Sequence, residues 1–314
     1  MSLRGRLSMV AAVAVVVAAC SSGGGGSTPA PTVAAPSAAA PSAAAPSAEA
    51  PSTAASVAPV AGGLLDKIKK SGKLVVSTDP KYPPQSELKP DGTYEGFDID
   101  VATEIAKRLG VDIEFTTPDW TAITAGGWGG RWDVSVGSMT ITVDRSKVLD
   151  FSPPYYYTPA QMAASKASGI TTLEGLAGKT VCSGEGTTYD QWLNGTLDYG
   201  TGQDLGSPPA GVKTTTLPTD TDCPDQWKAG RNDFEGWLSS VTTVEGAIKA
   251  GLPLIKVGDP VYFEPLAVAV DKSGPDDSDF MPVLKQIVDD MHADGFLQTA
   301  SQKWFGADFT QATP

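Results

Sequence analysis

The chain has 314 residues, 23 of them Lys or Arg and 36 Asp or Glu, for a formal net charge of −13, and it contains 34 Gly, 25 Pro, 3 Cys and a single His. At roughly 150 residues per domain this is two lobes and a surplus. An acidic surface repels phosphate backbones and one His leaves little for zinc sites or His-based acid–base work, so nucleic-acid binding, triad hydrolysis and zinc hydrolysis are set aside.

The surplus lies at the N-terminus, where residues 1–62 carry only Arg4, Arg6 and Glu49 as charges and no aromatic residue. Arg4 and Arg6 precede an apolar run, Met9 to Ala19, shorter than the ~20 residues of a membrane span and shaped like an export signal. The run ends in Val17-Ala18-Ala19-Cys20, which resembles a bacterial lipobox, where cleavage precedes a diacylated Cys; two acyl chains anchor stably. The expectation is a lipoprotein signal peptide over 1–20, lipidation at Cys20, and a protein held on the outer side of the cell membrane. Residues 21–62 repeat Pro-Ser at 36, 41, 46 and 51 among Ala, Gly and Ser. They bury too little to offset chain entropy and are expected to form a disordered tether, reaching on the order of 130 Å at ~3.1 Å per residue.

From residue 63 strand and helix alternate, which argues an α/β fold. Leu74–Ser77 reads as a strand and Ile99–Leu109 as an amphipathic helix stopped by Gly110; Val111–Phe115, Val134–Val136 and Val148–Phe151 continue as strands. After Gln161–Ala164 the theme restarts with a helix start at Thr171–Glu174, a strand at Thr180, a helix from Thr188, the strand Val212–Leu217 and a helix from Pro224. A strand at Phe234–Leu238 and the helix Val241–Ala250 follow, and the chain closes with the strand Leu266–Val270 and helices near Phe280–Asp294 and Gly295–Trp304. This order fits one lobe over 63–158 and 260–314 and a second over 159–259. With Cys20 consumed by lipid, Cys182 and Cys223 remain as an even pair in an oxidising compartment, and a disulfide between them is expected. Gly178-Lys179-Thr180 is no P-loop, because Leu173 stands where the first Gly would and the segment leads into a strand.

Several stretches carry a resemblance. Lys73-Leu-Val-Val-Ser-Thr-Asp79-Pro-Lys-Tyr82-Pro-Pro84, Gly96-Phe97-Asp98-Ile99-Asp100, Thr140-Ile-Thr142-Val-Asp144-Arg145, Asp150-Phe151-Ser152-Pro-Pro-Tyr155, Gly186-Thr187-Thr188, Gly230-Arg231 and the closing Lys303-Trp304-Phe305-Gly306 resemble the extracellular solute-binding proteins, family 3, of ABC importers. The resemblance covers essentially residues 64–308. It implies a two-lobe periplasmic-binding-protein (type II) clamp with a hinge of two connecting strands and a small carboxylate, an amino acid or derivative, between the lobes. It also implies ABC permease subunits as partners, a monomer, and neither enzymatic activity, cofactor nor metal.

The residues agree with that chemistry. Arg145 follows Gly137, Ser138, Thr140 and Thr142, an arrangement that sets a planar guanidinium among hydroxyl and N–H donors, as a carboxylate needs; the alternative is a surface Arg paired with Asp144 or Asp150. The resemblance gives Arg145 the ligand carboxylate. Thr187 and Thr188 open a helix and can complete an anion site, or Thr187 is a plain N-cap. Asp79 lies just past the carboxyl end of the first strand, where α/β ligands bind, and the resemblance places Tyr82 and Trp120 over the ligand; all three could instead be core or rim packing. The sequence departs from the family pattern twice. The Asp that takes the ligand's α-ammonium is replaced, on Leu238 or Ser240, and Tyr82-Pro-Pro is followed by Gln85-Ser86 where an aromatic is usual. Either Glu185 or Glu235 takes the ammonium, or the ligand lacks a standard α-amino group; Trp237 beside Leu238 allows an aromatic box for an alkylated ammonium. Two other functions fit the same fold, a cyclohexadienyl-dehydratase-like enzyme and a ligand-sensing module.

Overall fold

The computed structural model describes residues 58–312; the segment expected as a signal peptide, Cys20 and nearly all of the expected tether lie outside the described residues. The helix Leu64–Ser71 buries Leu64, Leu65 and Ile68 and leads into the strand Lys73–Ser77, which pairs in parallel with Asp112–Thr116 and Val134–Thr140. The crossover helix Phe97–Leu109 buries Phe97, Val101, Ile105 and Leu109, a spacing of four that lines one helix face. Gly110 stops it at φ 67°, a conformation in which glycine bears no Cβ penalty, and its N–H reaches the carbonyls of Ala106 and Lys107. These side chains form one apolar core with Leu74, Val76 and the C-terminal helices Phe280–Ala293 and Phe296–Phe305.

A second parallel set consists of Lys213–Leu217, Thr180–Gly184 and Gly236–Ser240. It has its own apolar clusters, one around Met162, Trp192 and Leu238 and one around Cys182, Trp227 and Trp237. Two ten-residue strands, Tyr156–Ser165 and Tyr262–Asp271, join the halves. They pair antiparallel with each other, Glu264 opposite Thr158; the first also pairs with Gly236–Ser240 and the second with Val134–Thr140. One sheet therefore runs through both lobes, with the connecting strands at its centre.

The carboxyl ends of the parallel strands converge between the lobes, which is where α/β folds bind ligands. The disulfide is present: Cys182 in mid-strand and Cys223 in the first turn of the helix Asp222–Lys228 stand 5.9 Å apart at Cα.

Three expectations change. Thr171–Glu174 starts no α-helix; Gly175 and Gly178, the latter at φ 69°, limit the segment to a single 3-10 turn, Glu174–Leu176. The strand expected at Phe234–Leu238 begins two residues later, because Phe234 packs on Trp227 and Glu235 turns its carboxylate to the N–H of Thr180. The small sheet Lys81–Tyr82, Ser86–Leu88 and Tyr94–Glu95 escapes the sequence, since strands of two or three residues carry no readable period.

Candidate ligand-binding site

All eight residues expected at the site line one cleft between the lobes: Asp79, Tyr82, Trp120, Ser138, Thr140, Arg145, Thr187 and Thr188. The cleft holds about 440 Å³ of unfilled space, its mouth included. Gly137, Tyr189, Thr219, Asp220 and Glu264 also line it.

Arg145 is the centre of charge. Its side chain is 4% exposed, and its two terminal nitrogens donate to Thr140 O at 2.9 Å in one lobe and to Gly186 O at 3.1 Å in the other. Its Nε is buried without a partner. Burial pulls the guanidinium down to about 10, against the pull of Glu264, so it stays charged at neutral pH. The surface alternative fails because Asp144 pairs with Lys147 and Asp150 with Lys272. The Trp120 ring lies 5.2 Å from the guanidinium carbon, a cation–π distance, and its Nε1 donates to Gly186 O at 3.4 Å.

The second lobe arrives through a tight turn. Thr187 caps the helix Thr188–Leu193, accepting from Asp190 N and donating to Gly184 O at 2.8 Å; its hydroxyl is spent on the helix, as the plain-cap alternative has it. A Cβ at Gly184 would stand 2.8 Å from Asp220 N, so glycine is what lets two strand ends approach. Thr188 and Tyr189 turn their hydroxyls to Glu264, the latter at 2.8 Å, and Thr140 does the same from the first lobe at 2.8 Å.

Asp98, fully buried in the first turn of its helix, sets the floor. It accepts from Tyr155 OH and Ser138 Oγ, both at 2.7 Å. Ser138 is held at φ 55°, the left-handed region non-glycine residues rarely adopt, and its N–H donates to Tyr155 OH. Burial, resisted by those two hydroxyls, raises Asp98 to about 7, against ~3.9 in an unfolded chain. Between about pH 4 and 7 the folded state keeps a proton the unfolded state has lost, so this group's contribution to stability falls as pH rises through that window. Asp98→Asn is expected to remove that slope: paired thermal melts from pH 4 to 7 should show the parent losing melting temperature relative to the variant, and parallel curves would contradict the assignment.

The expected ammonium acceptors are corrected. Glu185 is exposed and does not line the cleft, and Glu235 serves Thr180 N and lies 3.9 Å from Lys179. Trp237 is fully buried in a core cluster, so it forms no box. Leu238 is core as well; Ser240 is the position that reaches the interlobe surface. The two departures from the family pattern touch each other: Gln85 Nε2 donates to Ser240 Oγ at 3.0 Å and to Thr242 Oγ1 at 2.7 Å, across the lobes. The missing carboxylate and the missing aromatic are thus replaced by one neutral hydrogen-bonded contact.

Two acids the sequence reading passed over lie in the cleft instead. Asp220 follows the strand Lys213–Leu217 at about the offset at which Asp79 follows Lys73–Ser77, a signal that the same rule could have caught. Glu264 lay outside the strand expected at Leu266–Val270, because Pro265 reads as a strand breaker; the strand in fact starts at Tyr262. His292 bonds to Pro154 O on the C-terminal helix, and no cluster able to hold a metal occurs among the described residues.

Known proteins share this architecture. The family model described as bacterial extracellular solute-binding proteins, family 3, matches residues 74–307. The L-cystine-binding protein TcyJ of Escherichia coli K12 is 31% identical over 251 residues, 79% of this chain and 88% of that protein. A crystal structure of a mutant ArgBP from T. maritima superposes with a TM-score of 0.66 at 27% identity, covering 77% of this chain and 99% of that one. The ancestral amino acid-binding protein AncCDT-1, a precursor of cyclohexadienyl dehydratase, gives 0.63 at 29% identity over 77% of this chain and 99% of that one. The match of the family model across both lobes, with the connecting-strand topology and the interlobe cleft, places the chain in the bacterial extracellular solute-binding proteins, family 3.

Proposed function

We propose that the protein is the lipid-anchored, extracytoplasmic binding component of an ABC importer, closing on an amino acid and delivering it to membrane permease subunits. The observation that carries this reading is Arg145, a buried guanidinium with an unpartnered Nε and no ion-pair partner among the described residues, at the meeting point of both lobes. A buried cation of this kind is matched by a ligand carboxylate. Asp79, Tyr82, Trp120, Ser138, Thr140, Thr187 and Thr188 form the surrounding wall, and relatives named for L-cystine and arginine binding support an amino acid. Contacts from the second lobe exist only in the closed form, so ligand shifts the clamp toward closure. Calorimetry with the twenty amino acids tests this: tight binding of one supports it, and binding of none overturns it.

The dehydratase alternative loses ground on charge. Asp79, Asp220 and Glu264 face the cleft and, once ionised, would repel a dicarboxylate such as prephenate. Anchoring is tested separately: Cys20→Ala should shift the protein from the membrane to the soluble fraction and abolish lipid labelling, and unchanged membrane retention would contradict the lipobox.

A further inference from the structure

The cleft carries one guanidinium and three carboxylates, Asp79, Asp220 and Glu264. Asp220 and Glu264 are 4% and 1% exposed, and the hydrogen bonds they receive come from uncharged groups. Ser239 Oγ donates to Asp220; Thr140, Thr188 and Tyr189 donate to Glu264. The nearby ammonium of Lys81 is already taken by Asp222 and Asp225. Buried carboxylates are ordinarily matched by a cation or a metal, and among the described residues none but Arg145 lines the cleft.

The acids differ in their neighbours: Arg145 acts on Glu264, and Asp79 acts on Asp220. Glu264 binds the hydroxyl of Thr140, whose carbonyl receives Arg145, so one negative and one positive group meet at a single residue, as the two charges on one α-carbon require. Asp220 feels the charge of Asp79 more strongly than that of Glu264 and acts on Tyr82, on the side of the hairpin Lys81–Leu88. We propose that the ligand is an amino acid with a second cationic group, its α-ammonium held by Glu264 from the connecting strand and its side-chain cation by Asp220 with Asp79. This rests on the amino-acid reading above. It also accounts for the absence of an acid at Leu238 or Ser240, since the charge has moved to neighbouring elements.

Titration gives an independent readout. Burial raises Asp220 to about 7 and lifts Asp79 and Glu264 above their ordinary range. Arg145, which stays charged, faces Glu264, as do Tyr82, Tyr189, Tyr199 and Tyr262, which burial keeps protonated; Asp79 is faced by Lys81, Asp222 and Asp98. An arriving cation must therefore expel protons from the carboxyls.

The experiment is calorimetry of the full-length protein with L-arginine, L-lysine, L-glutamine and L-glutamate, for the parent, Glu264→Gln and Asp220→Asn. Arginine or lysine is expected to bind at least 100-fold tighter than glutamine or glutamate. Glu264→Gln should weaken the preferred ligand at least tenfold, and Asp220→Asn should collapse its preference over glutamine. With the parent alone, binding heats in buffers of different ionisation enthalpy should show proton release near pH 7, a measurement that stands even if a variant fails to fold. Preference for glutamine or glutamate, no proton release, or full affinity in Glu264→Gln overturns the proposal while leaving an amino-acid binder. Binding of none of the twenty amino acids overturns the reading beneath it.

Discussion

Arg145→Ala is expected to weaken ligand binding by roughly 2–5 kcal/mol, the range for removing one partner of a buried, hydrogen-bonded charge pair, or roughly 30- to several thousand-fold. Among the described residues the guanidinium is the only cation lining the cleft, so no neighbour there can take over the carboxylate, and three acids would then face it unopposed. The side chain also ties the lobes, through Thr140 O and Gly186 O, so the variant should close less readily. Arg145→Lys separates the two effects: a single ammonium keeps the charge and loses the planar fork, and affinity should fall between parent and alanine. Calorimetry beside thermal melts checks this, and affinity in Arg145→Ala within a factor of three of the parent would refute the role.

The second large effect is on stability. Cys182 and Cys223 lie 41 residues apart and fully buried, so opening the bond returns about 4 kcal/mol of loop entropy to the unfolded chain in the chain-entropy model. For lobes of this size that corresponds to a drop on the order of 10 °C in melting temperature. The bond fastens the strand ending at Gly184 to the helix beginning after Asp220, and the cleft residues Thr187, Thr188 and Asp220 lie just beyond those two points. Loss of the disulfide is therefore expected to loosen the second lobe's side of the cleft as well. Scanning calorimetry of the Cys182→Ala, Cys223→Ala double variant tests it; a shift below 3 °C would show that packing with Trp227 and Trp237 holds that lobe without the bond.

What the sequence determined by itself is local or follows from position along a strand. Apolar spacing along Ile99–Leu109 and the stop at Gly110 are backbone and periodicity effects that need no distant partner; the helix holds that stretch and stop and begins two residues earlier, at Phe97. Asp79, Thr140 and Thr187 follow or end parallel strands, and that edge is where such sheets bind ligands; Tyr82 and Trp120 came only with the family resemblance, and all eight residues line the cleft. The tertiary structure decided which acids serve. Glu185 and Glu235 lay near the right motifs, yet an exposed turn and a bond to Thr180 N point them elsewhere. Gln85 and Ser240 each looked like an isolated departure and prove to be partners 155 residues apart. Asp220 and Glu264 come from segments with no sequence motif in common: the pairing of the two connecting strands, with Glu264 opposite Thr158, brings Glu264 toward Arg145, while the close approach of Asp220 to Gly184 sets Asp220 near Asp79. The charge of a cleft is a sum over residues distant in the chain, and a sequence lists its terms without saying which face inward.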